Sequence, residues 1–321
     1  MNPVVERLPI LVLEPHTRCN CRCVMCDIWK IADAREISAA ELGRHLADIE
    51  SLGVEWVVFT GGEPLMHSDL FRLAAMVSTR GIRTTILSTG LLLARHTGRI
   101  VETIHDVIVS LDGPPPVHDE IRRVPGAFDR LAAGVRAIHR LAPQYPVSAR
   151  STVQAGNAAH LRDTVATARG LGLRSISFLA ADLASTAFNR STVWSEERQS
   201  AVAPDLRILE QEMRSLIDQY PDDGFILESP AKLRRIVSHF RAHYGLEPHV
   251  APRCNAPWVS AVLEANGDVR PCFFHAPLGN TANATLIEVL NGPQAVAFRE
   301  SLDVVANPTC RRCVCSLYAE P

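Results

Sequence analysis

Residues 8–26 read LPILVLEPHTRCNCRCVMC and join an apolar run directly to a cysteine-rich loop. The run 8–14 is short and apolar, which predicts a buried strand. In the loop that follows, Cys19, Cys23 and Cys26 have the spacing CxxxCxxC. Three thiolates from one short loop can hold three irons of a cubane iron-sulfur cluster and leave the fourth iron open. A zinc site that uses three of these thiolates is the alternative at this point.

The nine cysteines of this 321-residue chain lie at its two ends, and residues 27–253 contain none. There is no secretory signal pattern and no apolar run of about 18 residues, so we expect a cytoplasmic, reduced protein. Clustered thiols in that compartment more often hold metal than form disulfides. The net charge of −2 gives no reason to expect a nucleic acid or a membrane as partner.

Six strand patterns alternate with helical patterns in the first half of the chain, which predicts a parallel sheet with right-handed crossovers. The strands are expected at 8–14, 54–60, 82–88, 107–111, 147–153 and 173–179. The helices are expected at 38–52, 68–80, 91–104, 127–141 and 158–170. In such folds the functional residues gather in the loops after the carboxyl ends of the strands.

The expected fold class is α/β, a partial (β/α)6 barrel of the TIM type with a small C-terminal α+β domain. We expect the barrel at 8–190, a helical connecting region at 191–249 and the C-terminal domain at 250–321. Apolar runs on both sides of Ala265-Asn266-Gly267 predict a β-hairpin in that last domain.

The C-terminal cysteines predict a second site with four thiolate ligands. The hairpin turn at Gly267 brings Cys272 back towards Cys254, and Cys310 and Cys313 come from one tight turn. On coordination grounds, a structural zinc ion suits four cysteines as well as an iron-sulfur cluster does.

With the CxxxCxxC loop after the first strand and Gly61-Gly62-Glu63-Pro64 after the second, the chain resembles the radical S-adenosylmethionine (radical SAM) superfamily. The resemblance implies that the open iron chelates SAM through its amino and carboxylate groups. One electron from the cluster then breaks the sulfonium bond, and the resulting 5′-deoxyadenosyl radical abstracts hydrogen from an unactivated C–H bond of the substrate.

The resemblance also implies a set of cofactor-binding residues at the strand ends. The backbone of Gly61, Gly62, Glu63 and Pro64 would receive the SAM amino group, and Ser88 lies in the next such loop. Ser110 and Asp112 would contact the ribose, and Arg150 and Ser151 the carboxylate. The remaining expected residues, both in the adenine region, are Met25 and Leu179.

The C-terminal arrangement resembles the twitch domain, a shortened relative of the SPASM domain that carries one auxiliary 4Fe-4S cluster. Cys254, Cys272, Cys310 and Cys313 would be its ligands. Only Cys315 remains beyond them, which is too few for a second auxiliary cluster. Cys315 is an alternative fourth ligand, a buried structural thiol or a candidate catalytic hydrogen donor to a substrate radical. Cys21 is expected to point away from the first cluster.

The resulting hypothesis is a radical SAM oxidoreductase or epimerase with two 4Fe-4S clusters and SAM. The first strand begins near residue 8, which leaves no peptide-recognition domain before it and favours a small polar substrate of the sugar or aminocyclitol kind. A peptide-modifying maturase is the alternative, and both need an external electron donor such as flavodoxin or ferredoxin. Outside the enzymes, an iron-sulfur electron carrier or a zinc-stabilised binding protein remains, although a carrier needs neither GGEP nor an open iron.

Three smaller expectations concern single segments. The charged run His118–Arg123 is expected to form a solvated loop over the barrel mouth, and Asp182 to be a solvated loop carboxylate. His275 is a candidate neighbour of the auxiliary cluster because it follows Cys272 by three residues.

Overall fold

A computed structural model describes residues 1–188, 192–220 and 223–319 of the chain. The expected boundary between residues 190 and 191 lies outside the described residues. The strands are β1 (Ile10–Leu13), β2 (Trp56–Phe59), β3 (Arg83–Ser88), β4 (Asp106–Ser110), β5 (Val147–Val153), β6 (Ile176–Ala180), β7 (Ser260–Leu263), β8 (Asp268–Arg270) and β9 (Gly279–Asn280).

The first six strands form the predicted parallel sheet in sequence order, each paired with the next along the chain. In the described residues the sheet order is β6-β5-β4-β3-β2-β1-β7-β8-β9, so the barrel is open, with β6 and β9 at its two edges. The α/β class and the partial barrel are thereby confirmed. Because the six strands are parallel, their carboxyl ends lie along the same edge of the sheet, where the functional loops are expected.

The helices follow the predicted alternation closely. They are α1 (Ala39–Ser51), α2 (Leu70–Ser78), α3 (Leu93–Thr103), α4 (Pro115–Arg122), α5 (Ala127–Leu141), α6 (Leu161–Gly170), α7 (Glu196–Val202), α8 (Leu206–Gln219), α9 (Pro230–His243), α10 (Ala256–Val259), α11 (Leu286–Asn291), α12 (Pro293–Ser301) and α13 (Pro308–Arg311). Short 3-10 turns follow the cysteine loop and the GGE motif, at Ile28–Lys30 and Pro64–Met66. The capping box predicted at Ser38 and Glu41 opens α1.

Helix α4 corrects one expectation, because the run His118–Arg123 is not a solvated loop. His118 and Arg122 are buried on the inner face of α4. The carboxylate of Asp119 accepts hydrogen bonds from the backbone N–H groups of Gly126 and Phe128, which fixes the turn into α5. The mixed charges looked solvated, but Arg122 pairs with Asp112 from the end of β4, and only Glu120 and Arg123 of this run are exposed.

The C-terminal hairpin extends the barrel sheet. Strand β7 pairs in parallel with β1, so that Leu263 lies opposite Leu13, and β8 then pairs antiparallel with β7. The predicted turn is present, with Gly267 at φ +87°. The division into three domains stays a prediction.

Helices α7, α8 and α9 make up the predicted helical connecting region. Arg162 of α6 and Glu212 of α8 form an ion pair at 2.9 Å between Nη2 and Oε2, which fastens this region to the barrel. Among the described residues, no helix is long and apolar enough to cross a lipid bilayer.

Candidate functional site

The first cysteine loop follows β1 at the carboxyl edge of the sheet. Burial raises the pKa of the Cys19 thiol to about 12, and the nearby thiols of Cys23 and Cys26 add to the increase. Thiols that interact in this way suit a cationic metal group, since the metal would hold them as thiolates. In residues 1–188, 192–220 and 223–319, no three His, Cys, Asp or Glu side chains already form a ready metal site. The assignment of individual ligands therefore stays a prediction.

Cys21 does not point away from the predicted ligands. It is buried, and its S–H donates a hydrogen bond to the sulfur of Cys23. This bond lowers the pKa of Cys23 and raises that of Cys21, and the guanidinium of Arg122 also lowers the pKa of Cys23. The expectation for Cys21 is wrong because its thiol lies against that of Cys23.

The two glycines of the GGE motif let the loop after β2 lie directly against the cysteine loop. Gly61 has φ +95°, a conformation that favours glycine. A Cβ atom on Gly62 would lie 1.9 Å from the carbonyl oxygen of Arg18. The backbone N–H of Glu63 donates to that same oxygen at 2.9 Å. The motif thus joins the two loops by backbone contact.

The Glu63 side chain is fully buried and serves as a tie between loops. Its carboxylate accepts hydrogen bonds from the Ser88 hydroxyl (2.9 Å), the Thr89 backbone N–H (2.6 Å), the Thr89 hydroxyl (2.6 Å) and the Leu65 N–H (3.1 Å). Burial raises the pKa of Glu63 and these hydrogen bonds oppose the increase. Glu63 and Ser88 therefore hold the end of β3 to the GGE loop, and contact of this motif with SAM through its backbone stays a prediction.

Asp112 lies just beyond β4 and is fully buried. Its Oδ2 is 2.5 Å from Nη2 of Arg122, and its Oδ1 accepts a hydrogen bond from the Thr152 N–H at 3.1 Å. Ser110 ends β4 and is half-buried. The contact of both residues with the ribose stays a prediction. Sequence reasoning missed Arg122, because nothing in the run around it indicates a buried partner.

Arg150 and Ser151 lie on opposite faces of β5, since successive strand residues alternate. Arg150 faces the barrel interior, where its Nε donates to the Ser177 hydroxyl at 3.2 Å. Ser151 is buried on the helix side, 3.4 Å from the side-chain nitrogen of Asn157. Leu179 lines the same interior as Arg150, and Met25 is a buried residue of the cysteine loop itself.

A cavity of about 320 Å³ lies between the barrel interior and the C-terminal segment. The barrel contributes wall residues from β1, β2 and β6, and α9 contributes one side. The opposite wall contains all five C-terminal cysteines, Cys254, Cys272, Cys310, Cys313 and Cys315. The structure thus brings the predicted second cysteine group against the barrel interior.

Hydrogen-bond donors surround this second cysteine group. His275 has its Nε2 3.4 Å from the sulfur of Cys310, which confirms its predicted position, and the Ala256 N–H donates to the Cys254 sulfur at 3.4 Å. Burial raises the pKa of Cys272 and of Cys310 to about 11. Donors directed at cysteine sulfur are a common device for tuning iron-sulfur clusters.

Cys315 lies at the cavity beside Cys313, and the two thiols share a hydrogen bond that lowers the pKa of Cys315. Arg235 of α9 donates to the backbone carbonyls of Cys313, Val314 and Cys315 at 3.2–3.3 Å. Asp182, expected to be solvated, is buried and accepts hydrogen bonds from the turn that follows it. That expectation is wrong because the chain folds back over the end of β6.

Two acidic residues at neighbouring strand ends yield a prediction of pH dependence. Burial raises the pKa of Glu14 from 4.5 to about 7, and the carboxylate of Glu264 adds to the increase while Arg270 opposes it. The folded state keeps this proton while the unfolded state loses it, so stability falls as the pH rises from about 4.5 to 7. Glu14→Gln should therefore raise the thermal midpoint more at pH 8 than at pH 5. An equal change at both pH values would contradict this.

Comparison with known proteins agrees with this geometry. Residues 13–165 match the family model of the radical SAM superfamily, and residues 254–314 match SPASM, an iron-sulfur cluster-binding domain. The chain is 34% identical over 138 residues to Fe-coproporphyrin III synthase of Methanosarcina barkeri, covering 42% of this chain and 34% of that protein. It is 32% identical over 185 residues to GTP 3′,8-cyclase of Rhodopseudomonas palustris strain TIE-1, covering 54% and 52%. The chain thus spans about a third to a half of the length of these relatives.

A solved structure shares the whole fold. SuiB of Streptococcus suis bound to S-adenosylmethionine matches with a TM-score of 0.69 at 15% identity, covering 99% of this chain and 74% of that one. The same protein bound to its precursor peptide SuiA matches with a TM-score of 0.68. Fold, motif positions and both family models agree, and the chain contains a radical SAM domain at 13–165 and a SPASM-type iron-sulfur domain at 254–314.

Proposed function

We propose that this protein is a radical SAM enzyme that abstracts a hydrogen atom from a carbon of a small molecule held in the cavity. The observation that carries the proposal is the shape of that cavity. The barrel interior forms one wall and the C-terminal cysteines form the other. A substrate in this space would contact the second cysteine group, and Thr60, the residue before the GGE loop, lines the same space. An electron carrier has no use for such a cavity.

The two domains imply 4Fe-4S clusters and SAM as cofactors. When bound, they supply a 5′-deoxyadenosyl radical, chemistry that no amino-acid side chain performs. We assign Cys19, Cys23 and Cys26 to the cluster that binds SAM. The auxiliary cluster is assigned to Cys254, Cys272, Cys310 and Cys313. Both groups fit in their donor chemistry, because in each one neighbouring cysteine thiols lie close enough to raise one another's pKa.

The cavity wall narrows the substrate class. Most of its side chains are aliphatic, and Trp56, Phe273 and Phe274 add aromatic rings. Arg150, Lys232 and Arg235 supply positive charge, against the carboxylate of Glu228. This lining favours a molecule with apolar or aromatic surface and an anionic group over the small polar molecule of the sugar or aminocyclitol kind expected from the sequence. The two relatives are named for a coproporphyrin and for GTP, both small molecules, which supports this choice. A peptide substrate is the alternative, as SuiB binds a precursor peptide on the same fold.

The deciding experiment is anaerobic reconstitution followed by incubation with SAM and dithionite. We expect 5′-deoxyadenosine and methionine to form, and the full chain to contain about eight irons and eight sulfides. No release of 5′-deoxyadenosine, with or without candidate small molecules, would overturn the proposal. About four irons with one zinc would retain the first cluster and exclude the auxiliary one. Reduced flavodoxin or ferredoxin should also support the reaction in place of dithionite, since the cluster needs an electron from an external donor.

Cys315 decides between the possible outcomes of the reaction. If it donates a hydrogen atom to the substrate radical, the reaction is an epimerisation; if an electron leaves through the auxiliary cluster, the reaction is an oxidation. Cys315→Ala should leave the iron content unchanged, because four other cysteines surround the site. Cys313→Ala is the matched control and should lower it. Equal loss of iron in both variants would make Cys315 a ligand instead.

A further inference from the structure

Arg122, at the C-terminal end of α4, is a buried cation directly against the first cysteine loop. Its side chain is only 8% exposed and that of its partner Asp112 is 0% exposed. Nη1 donates to the sulfur of Cys23 at 3.5 Å, and Nη2 lies 2.5 Å from Oδ2 of Asp112. The described residues provide no hydrogen-bond acceptor for Nε of Arg122. A full positive charge thus touches a predicted cluster ligand.

The backbone fixes this contact independently of the side chains. The N–H of Arg22 donates to the carbonyl oxygen of Arg122 at 3.2 Å, and the N–H of Val24 donates to that of Ile121 at 3.1 Å. These two bonds flank Cys23. Helix α4 therefore ends on the cysteine loop, and its last side chain has little freedom to leave Cys23.

A cluster gains negative charge when it is reduced, so a nearby positive charge and a hydrogen bond to sulfur both favour the reduced state. Arginine keeps its charge even when it is buried. The carboxylate of Asp112 offsets part of that charge and holds the guanidinium in place. The cation and the carboxylate therefore act on the cluster with opposite sign.

We propose that Arg122 is a positioning residue for the cluster assigned to Cys19, Cys23 and Cys26, holding Cys23 in place and raising the reduction potential of the cluster, with Asp112 limiting that increase. This inference rests on the proposed function, because it requires a cluster at these cysteines. It assigns a role to Asp112 that differs from the ribose contact expected from the sequence.

The test is a redox titration of the reconstituted full chain in the absence of SAM. Electron paramagnetic resonance measures the reduced first cluster at each potential. Arg122→Met should shift the ratio of reduced to oxidised first cluster about tenfold or more towards the oxidised form. That corresponds to about 59 mV for one electron. Arg122→Lys, which keeps the charge but loses the planar fork, should give a smaller shift. Asp112→Asn should shift the ratio the other way, because it leaves the cation unopposed.

The opposite signs separate tuning from simple damage to the fold. If Arg122→Met does not retain iron, the double variant Arg122→Met with Asp112→Asn removes both buried charges and should recover the cluster at a lowered potential. Arg22→Met is the matched control, since its exposed guanidinium lies 5.9 Å from the Trp29 ring centre, and it should leave the potential nearly unchanged. The auxiliary cluster is an internal reference, and its reduction potential should be the same in all of these variants.

Two results would overturn the inference. One is an unchanged potential in Arg122→Met at full iron content, and the other is a shift of the same sign in Arg122→Met and Asp112→Asn. Failure of the proposed function would appear differently. In that case Cys26→Ala would have the same iron content and the same paramagnetic resonance spectrum as the wild-type protein.

Discussion

Cys26→Ala is expected to abolish the release of 5′-deoxyadenosine from SAM and to lower the iron content from about eight to about four per chain. Only Cys19 and Cys23 of the assigned ligands would remain, and two thiolates from this loop cannot hold a cubane cluster. The second cysteine group is distant in sequence from Cys26, so it should keep its own irons. Iron and sulfide analysis, together with chromatographic detection of 5′-deoxyadenosine, measures both effects.

Cys21→Ala is the control for that experiment, because it removes a thiol from the same loop. Cys21 donates a hydrogen bond to Cys23 but is not an assigned ligand. This variant should keep its full iron content and much of its activity. The ligand assignment would be refuted if Cys21→Ala lost as much iron as Cys26→Ala, or if Cys26→Ala kept all of it.

Gly62→Ala is expected to have the second large effect, by separating the GGE loop from the cysteine loop. The new Cβ would lie 1.9 Å from the carbonyl oxygen of Arg18 and 3.1 Å from that of Thr17. Both contacts are with backbone, so no side chain can swing aside and the loops must part. We expect a loss of about 2–3 kcal/mol in stability, typical of forced overpacking. SAM binding should weaken strongly as well.

A second glycine provides the control for that variant. Gly98 lies within α3, and a Cβ there would meet no atom within 4 Å. Gly98→Ala should therefore stabilise the protein by about 0.5–1 kcal/mol, the usual gain within a helix. Thermal unfolding and equilibrium dialysis of SAM measure the pair. Equal stability and equal SAM affinity in both variants would show that the close approach at Gly62 does not matter.

The local elements of the fold could be predicted because their signals are local. Short apolar, β-branched runs predicted β1 to β6, and the capping box at Ser38 and Glu41 marked the start of α1. The asparagine-glycine turn predicted the hairpin of β7 and β8. The parallel pairing of β7 with β1 could not be predicted, because it joins segments about 250 residues apart, and no local pattern specifies such a partner.

In the candidate site, too, local motifs could be predicted and contacts between distant residues could not. The cysteine spacing and GGEP predicted a cysteine loop after β1 and a glycine loop after β2, and both loops follow these strands. The cluster ligands themselves stay a prediction. The burial of Arg122 was missed, since its ion pair with Asp112 and its contact with Cys23 form only in the folded chain. The opposite orientations of Arg150 and Ser151 could have been predicted from the sequence, because adjacent residues of one strand cannot both face the barrel interior.

The pairing of β7 with β1 has a consequence for any attempt to isolate the barrel. If the chain ended before residue 250, β1 would lose its partner on one side, and the N–H and C=O groups of Ile10–Leu13 would be exposed as a bare apolar edge. Such edges recruit strands from other molecules and promote aggregation. The C-terminal segment therefore acts as a cover for the first strand as well as a carrier of cysteines. The shortened protein should precipitate or form oligomers.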